Sequence, residues 1–412
     1  METHLSPAFH ATPAGQEAES ILRKCVHCGF CTATCPTYQL FGDELDGPRG
    51  RIYLIKQMLE GGEVSDKTQL HLDRCLSCRS CESTCPSGVH YSRLLDIGRA
   101  VLEERVPRRQ QDLLTRMALR HLLPRQWLFR PAYRLGQLFR PLLPAALKAK
   151  VLAYRAPGKR PQAALPRSII ALAGCVQPSM APGINAAACR VLDKLGIRML
   201  EAERAGCCGA LAQHLNGEDQ AKTDARRNID AWWPLLEAGA EAILLTASGC
   251  ATQVRDYGHL LRDDPRYAVK AAQISLLCKD VSEILSAEKH RLLGLFADLP
   301  TAPGKPKLAF HAPCSLQHGL KIRGTVEELL TAAGFALTAV PDGHLCCGSG
   351  GAYSVLQPVI GTQLRDNKLK ALGSGQPLGI ATANIGCLAH LQSGTHLPVR
   401  HWIELIDERL GA

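Results

Sequence analysis

The chain is 412 residues long, 46% hydrophobic and 21% charged, an ordinary balance for a soluble globular protein of about two to four domains. Its formal net charge of +10 is concentrated in one stretch. No run of eighteen apolar residues exists to span a membrane, and the segment before Cys25 carries Glu2, Glu17 and Glu19 where a secretory signal needs an apolar core.

With no export signal, the 18 cysteines are expected to bind metal and not to pair as disulfides, in the cytoplasm or peripherally on the inner face of the cytoplasmic membrane. Residues 1–19 read as a flexible N-terminus. A helix is expected after Ser20, delivering Cys25 to the first of two equivalent runs. That run is Cys25-Val26-His27-Cys28-Gly29-Phe30-Cys31-Thr32-Ala33-Thr34-Cys35-Pro36; the other is Cys75-Leu76-Ser77-Cys78-Arg79-Ser80-Cys81-Glu82-Ser83-Thr84-Cys85-Pro86. Both have the spacing C-x2-C-x2-C-x3-C-P of bacterial ferredoxins, in which three thiolates wrap one corner of a [4Fe–4S] cubane and the fourth ligates the neighbouring cluster. Cluster one is therefore assigned to Cys25, Cys28, Cys31 and Cys85, and cluster two to Cys75, Cys78, Cys81 and Cys35. Zinc sites take tetrahedral sets of four, which two complete Pro-closed runs fit poorly. Each closing proline is expected to end any local helix and fix a turn.

Between the runs, Asp43 to Gly50 reads as a Gly/Pro turn, Arg51 to Glu60 as a helix stopped by Gly61-Gly62, and Gln69 to Arg74 as the lead into the second run. Tyr91 to Val106 reads as a helix after it. Residues 20–106 thus form an expected α-helical ferredoxin domain with two 4Fe–4S clusters.

Residues 107–167 read as a basic, Pro-rich connector. From Arg105 to Arg167 fifteen Lys or Arg face one acid, Asp112, so the remainder of the chain is slightly acidic. Prolines 124, 131, 141 and 144 are expected to cut it into short helices. Its basic face is either solvated or packed on an acidic partner, or it is an amphipathic segment touching anionic lipid. No nucleic-acid motif accompanies the charge.

From Ser168 the chain repeats itself, giving two α/β Cys-Cys-Gly units over 168–300 and 301–412. Ser168 to Cys175 and Lys307 to Cys314 are buried-strand patterns ending in Cys. Helices follow at Ala186 to Leu195 and Val326 to Ala333. Then come Cys207-Cys208-Gly209 and Cys346-Cys347-Gly348, and second strands expected to end at Ser248-Gly249-Cys250 and Ile385-Gly386-Cys387. Strands alternating with helices imply parallel sheets, with cysteines at strand ends and adjoining loops. The fold class is thus α+β multidomain.

Each unit offers four thiols: Cys175, Cys207, Cys208 and Cys250, then Cys314, Cys346, Cys347 and Cys387. They read as an extra metal site in each unit or one shared between them, a further cluster or zinc, against the alternative of small buried apolar residues. Cys189 and Cys278 lack counterparts and read as buried. His311, His318, His344 and His390 read as hydrogen-bonded structural residues, with ligand or proton carrier as the sharper alternative. Gly348, Gly350 and Gly351 follow a Cys pair and lack the Lys-Ser/Thr of a phosphate loop, so no nucleotide is expected.

Together the two ferredoxin runs, the basic joint and the Cys-Cys-Gly repeats resemble the iron–sulfur subunits of bacterial glycolate oxidases (glycolate dehydrogenases). Lys24–Phe30, Cys31–Leu40, Asp43–Lys56, Asn228–Trp233 and His401–Leu405 carry the likeness. Lactate-utilisation proteins, the small subunit of anaerobic glycerol-3-phosphate dehydrogenase and heterodisulfide reductase share the repeats more distantly. The resemblance implies an oxidoreductase complex in which separate FAD-binding subunits oxidise glycolate to glyoxylate and this chain passes electrons toward membrane quinone or another acceptor. The equivalent subunit for lactate or glycerol-3-phosphate, or a quinone- or disulfide-reducing subunit acting at the Cys-Cys-Gly sites, is the alternative. Heterodisulfide reductase repeats end in C-x2-C and hold a noncubane cluster with five cysteines. Here Ala247 and Asn384 occupy the first of those positions, leaving a four-ligand cluster, zinc or no metal open. No flavin motif, catalytic base or nucleophile constellation is present, so no catalytic residue is assigned, and the chain is not expected to oxidise glycolate alone.

Overall fold

The structure, a computed structural model, describes residues 1–298 and 304–411; the expected boundary at 300/301 lies outside the described residues. The N-terminal segment differs from its expectation. A turn of helix at Pro7–His10 is followed by α1 (Pro13–Lys24), which starts well before Ser20. Pro13 pre-sets the helical φ, and the Thr12 hydroxyl accepts from the Gly15 N–H at 3.0 Å, so the start signals lie inside the stretch read as flexible. The Met1 ammonium donates to the Cys25 carbonyl at 2.9 Å, tying the terminus to the first cysteine run.

The ferredoxin half adds α2 (Pro48–Leu59), α3 (Asp66–Asp73) and α4 (Tyr91–Arg105). Their apolar faces meet in one core of Ala18, Leu22, Ile55, Leu59, Leu72, Leu94 and Leu102. Helices α2 and α4 approach so closely that a Cβ on Gly98 would stand 2.7 Å from Ile55 Cγ1. The closing prolines behave differently from one another. Pro36 opens a helix, Pro36–Phe41, at the position where a missing N–H is harmless, whereas the helix Ser80–Thr84 ends before Pro86.

In the connector, α5 (Gln110–Leu122) and α6 (Gln126–Leu138) precede a largely irregular run to residue 166. Pro131 lies inside α6 and does not break it. Part of the basic charge is used internally. Arg108 pairs with Asp73 at 2.6 Å and Arg116 with Asp112 at 3.0 Å, while Arg120 reaches Gln220 of the first repeat. The outer side of this segment exposes Trp127, Leu135, Leu138 and Leu142. Among the described residues no helix is long and apolar enough to cross a membrane.

Each repeat builds a four-stranded parallel sheet. The first comprises β1 (Arg167–Ala171), β2 (Ile197–Glu201), β3 (Ile243–Leu245) and β4 (Cys278–Asp280) in the order β2-β1-β3-β4. The second comprises β5 (Lys307–His311), β6 (Ala336–Leu337), β7 (Gly379–Thr382) and β8 (Val399–His401) in the order β6-β5-β7-β8. The central strands are covered on both faces, which is why Ile169-Ile170-Ala171 and Gly379 to Thr382 are unbroken buried runs without polar alternation. Helices α7 (Gly183–Lys194) and α8 (Glu218–Glu237) serve the first sheet. Two shorter ones, α9 (Ser248–Arg255) and α10 (Ile385–Gln392), follow β3 and β7 directly. Cys250 and Cys387 therefore sit in first helical turns and not at strand ends, as the strands stop at Leu245 and Thr382.

The repeats share a continuous apolar core. Polar contacts fix their mutual position. Arg190 pairs with Asp407 at 2.6 Å, His401 Nε2 donates to the Thr246 carbonyl at 2.8 Å, and the hydroxyls of Ser248 and Ser315 meet at 2.7 Å. The strand order reverses between β1 and β3 and between β5 and β7, the position at whose carboxyl ends parallel sheets place their sites.

Candidate metal centres

The two N-terminal runs adopt the same backbone. His27 and Gly29 in the first, and Ser77 and Arg79 in the second, have positive φ at matching positions around the second cysteine. Three of these four residues are not glycine, so each loop holds a conformation that costs about 1 kcal/mol per residue and needs over-determination by its surroundings. Curled in this way, the loops bound two neighbouring hollows. One is lined by Cys25, Cys28 and Cys31 together with Cys85 of the other run; the second by Cys75, Cys78 and Cys81 together with Cys35. Cys81 borders both. The structure thus brings together the crossed quartets that the spacing predicts.

Burial pushes the Cys25 thiol up, Cys31 up to about 11, and Cys78 and Cys81 well above the ordinary thiol range. Converging thiols with such a penalty against ionisation fit a group that supplies its own positive charge, as iron does.

The second hollow is the more elaborated. The Tyr91 hydroxyl donates to Cys75 Sγ at 3.6 Å, and the Thr37 hydroxyl lies 3.3 Å from Cys35 Sγ. Arg51, 1% exposed, lines the same hollow and donates to Thr37 Oγ1 and the His71 carbonyl. Its charge is balanced by Asp46, which is fully buried and also held by Arg74 at 2.7 Å and His71 at 3.1 Å. Those partners occupy the Asp46 carboxylate, so its proximity to Asp43 and His71 is an ion-pair network and not a cation site. The first hollow lies nearer the surface: Cys28 is exposed, as are its neighbours Val26 and Phe30.

In the repeats each predicted quartet is also assembled. Cys175, Cys207, Cys208 and Cys250 influence one another as neighbours along a row in that order, and so do Cys314, Cys346, Cys347 and Cys387, with 3.8 Å between the sulfurs of Cys314 and Cys346. In the first row, the neighbouring Cys175 and Cys208 thiols hold Cys207 well below the usual thiol range. The Gly209 N–H, 3.5 Å from Cys207 Sγ, acts in the same direction. In the second, the bond to Cys346 and burial push Cys314 up. Cys278, fully buried with its thiol 3.7 Å from the Ala251 carbonyl, lies outside the first row, and Cys189 is buried on α7.

Three features escape sequence reasoning. The ferredoxin half closes directly on the second repeat, where Leu76, Cys346, Tyr353, Ile360 and Leu364 pack with Cys78 and Cys314, and the Tyr353 hydroxyl donates to the Arg74 carbonyl at 3.0 Å. Asn384 bridges the repeats: its Oδ1 accepts from the Gly249 N–H at 3.4 Å and its Nδ2 donates to Cys387 Sγ at 3.5 Å. The histidines also divide. His318 is satisfied by Ser83 and the His344 carbonyl, and His390 by the Gly361 carbonyl. His311 keeps Nε2 without a partner although it is buried. The sequence signal for the last was available: aligning the repeats sets Leu172, the residue just after β1, against His311 at the end of β5.

Comparison with known proteins matches residues 21–89 to a 4Fe-4S dicluster domain and residues 169–255 and 308–392 to two copies of a cysteine-rich domain. Over 411 residues the chain is 53% identical to the glycolate oxidase iron-sulfur subunit of Escherichia coli (strain K12), covering 100% of this chain and 99% of that protein. A probable glycolate oxidase iron-sulfur subunit of Bacillus subtilis (strain 168) is 27% identical over 405 residues, 91% of this chain and 89% of its own. Lactate utilization protein A of Bacillus velezensis is 28% identical over 244 residues, 57% of this chain and 97% of its own.

Proposed function

We infer the function from one premise: the chain belongs to the family of glycolate oxidase iron–sulfur subunits. It acts as the electron-transfer subunit of a glycolate dehydrogenase complex, receiving electrons from flavin-bearing partners that oxidise glycolate to glyoxylate and delivering them toward membrane quinone. The observation that carries this reading is the pairing of three thiols from one N-terminal run with the fourth from the other around each hollow. Cys25, Cys28, Cys31 and Cys85 would hold one [4Fe–4S] cluster, and Cys75, Cys78, Cys81 and Cys35 the other. Stepwise one-electron exchange is the chemistry those groups would supply when bound.

The protein's own side chains do the rest. Tyr91 directs its hydroxyl at a ligand sulfur, Arg51 adds buried positive charge, and the packed core around Leu22, Ile55 and Leu95 excludes water. The exposed face at Val26, Cys28 and Phe30 suits the flavin partner. The seam at Leu76 and Tyr353 leads from the second hollow into the second repeat. The thiol rows of both repeats serve as further metal positions. The apolar outer side of α6, with Arg130 and Arg134 alongside, suits a peripheral seat on anionic lipid.

The test uses the chain expressed with its flavin partners and assayed anaerobically. Cys28→Ser and Cys78→Ser should each lower bound iron and acid-labile sulfide and abolish glycolate-dependent dye reduction in the complex. The isolated wild-type chain should show broad cluster absorbance without glycolate oxidation. Unchanged iron in either variant, or glycolate turnover by the isolated chain, refutes the assignment.

A further inference from the structure

The two thiol rows are not chemically equivalent. In the second repeat a ring nitrogen of His311 and the sulfurs of Cys347 and Cys387 all lie within 4.8 Å of one another, and all three residues are buried. Among the described residues, the first repeat forms no such group. Its counterpart of His311 is Leu172, a fully apolar side chain. His311 is 2% exposed at the carboxyl end of β5, and its Nδ1 lies 2.9 Å from Thr382 Oγ1. In the tautomer where Nδ1–H donates to that hydroxyl, Nε2 carries a lone pair. That atom has no hydrogen-bond partner, including either sulfur. A buried imidazole nitrogen with no donor or acceptor facing it normally costs about 1–3 kcal/mol, and native interiors rarely tolerate one unless something absent from the chain completes it.

We propose that the second repeat binds a single zinc-class divalent ion through His311 Nε2, Cys347 and Cys387, with Cys346, the next sulfur in the row, closing a tetrahedral Cys3His set. This rests on the reading that the repeats bind metal and specifies what the second one takes. Thiolate and imidazole donors in one compact group are the chemistry of a closed structural zinc site, with donors about 3.5 Å apart once metal–sulfur bonds of about 2.3 Å form, so the three grouped donors have only to contract slightly while Cys346, outside that group, moves in to close the set. Thr382 then acts as the outer-sphere partner that orients the ring and fixes its tautomer, as metal-bound imidazoles generally require. The first repeat, with leucine in place of the imidazole, is left with an all-thiol row. Such an ion is redox-inert, so the second repeat would be a staple beside the ferredoxin seam and not a further carrier.

The test is element-specific and needs no turnover. Zinc K-edge absorption spectroscopy on the full wild-type chain, purified anaerobically, should show about one zinc per chain with three sulfur neighbours and the multiple-scattering pattern of one imidazole. His311→Leu should lose that zinc while iron content stays at the wild-type level, and His311→Cys should recover it with an all-sulfur shell. A zinc bound only by sulfur in the wild type, or its retention in His311→Leu, overturns the His311 assignment but keeps the repeats as metal sites. Iron above that of two [4Fe–4S] clusters with no zinc does the same. No metal beyond those two clusters overturns both readings. The wild-type spectrum decides the matter even where a variant fails to fold.

Discussion

Replacing Arg51 by Met tests whether the buried guanidinium both braces the ferredoxin half and tunes its inner cluster. The substitution keeps most of the side-chain volume and removes three interactions: the pair with Asp46 at 3.3 Å, the bond to Thr37 Oγ1 at 3.1 Å and the bond to the His71 carbonyl at 2.7 Å. Breaking a buried ion pair from one side costs about 3–5 kcal/mol. Arg74 and His71 still face Asp46, which argues for the lower end, and Thr37 Oγ1 keeps its bond to the Asp46 carbonyl, while the His71 carbonyl left without its partner adds about 1 kcal/mol. A loss near 4 kcal/mol corresponds to roughly a thousandfold faster amide exchange in α2 and α3 wherever exchange proceeds through opening of this half. The electrostatic effect is separable. A unit charge roughly 8 Å from a redox centre, at an effective dielectric of about 20, is worth ~2 kcal/mol, or ~90 mV for a one-electron couple. Hydrogen exchange with mass spectrometry reads the first quantity and an EPR-monitored redox titration the second. Arg51→Lys should keep most of the potential while losing part of the protection. Wild-type protection together with an unmoved potential in Arg51→Met would show that the buried charge is coupled to neither.

Tyr91→Phe removes the hydroxyl from Cys75 Sγ and should lower the potential of the inner cluster by a few tens of millivolts, the equivalent of ~1 kcal/mol, with iron content unchanged; the same redox titration reads it. Gly98→Ala forces a methyl against Ile55 and should destabilise the ferredoxin half by about 1–3 kcal/mol, seen as a lower denaturation midpoint with intact cluster absorbance beforehand. Trp127→Ser combined with Leu138→Ser should abolish sedimentation with anionic vesicles while leaving dye-coupled turnover of the complex intact, and the wild-type interaction should weaken with salt. Equal binding of variant and wild type would assign the α6 face to another role.

The cysteine spacing made the N-terminal hollows legible in advance because such a loop is encoded locally: the stretch that carries three of the lining cysteines spans seven residues, and the fourth comes from the matching position of its twin. The repeats were legible because landmarks recur at offsets of 139, 139 and 137 residues, and buried parallel strands read as unbroken apolar runs. What the sequence hid was long-range or conditional. The order in the first turns before Lys24 depended on Pro13 and Thr12 acting as helix-start signals within a polar stretch. Pro131 looked like a breaker but was accommodated inside α6. The strand ends at Leu245 and Thr382 were displaced because Ser248 and Ile385 already begin helices. The asymmetry between His311 and Leu172 was on view in the alignment of the repeats, yet it acquires meaning only when Cys347 and Cys387 arrive beside the ring. The Asn384 bridge and the Leu76–Tyr353 seam join residues far apart in the chain and have no local signature.

That seam sets a sequence of events for biogenesis. Leu76 and Tyr353 close over sulfurs from both sides, and Cys346 and Cys347 are almost sealed from solvent once the halves meet. A delivery protein carrying iron or zinc cannot reach through such a lid. The inner cargo would therefore have to be inserted while the N-terminal half is still undocked, during or soon after synthesis. Late-supplied metal would restore the outer loop around Cys28 first and leave the interior empty until the halves part again.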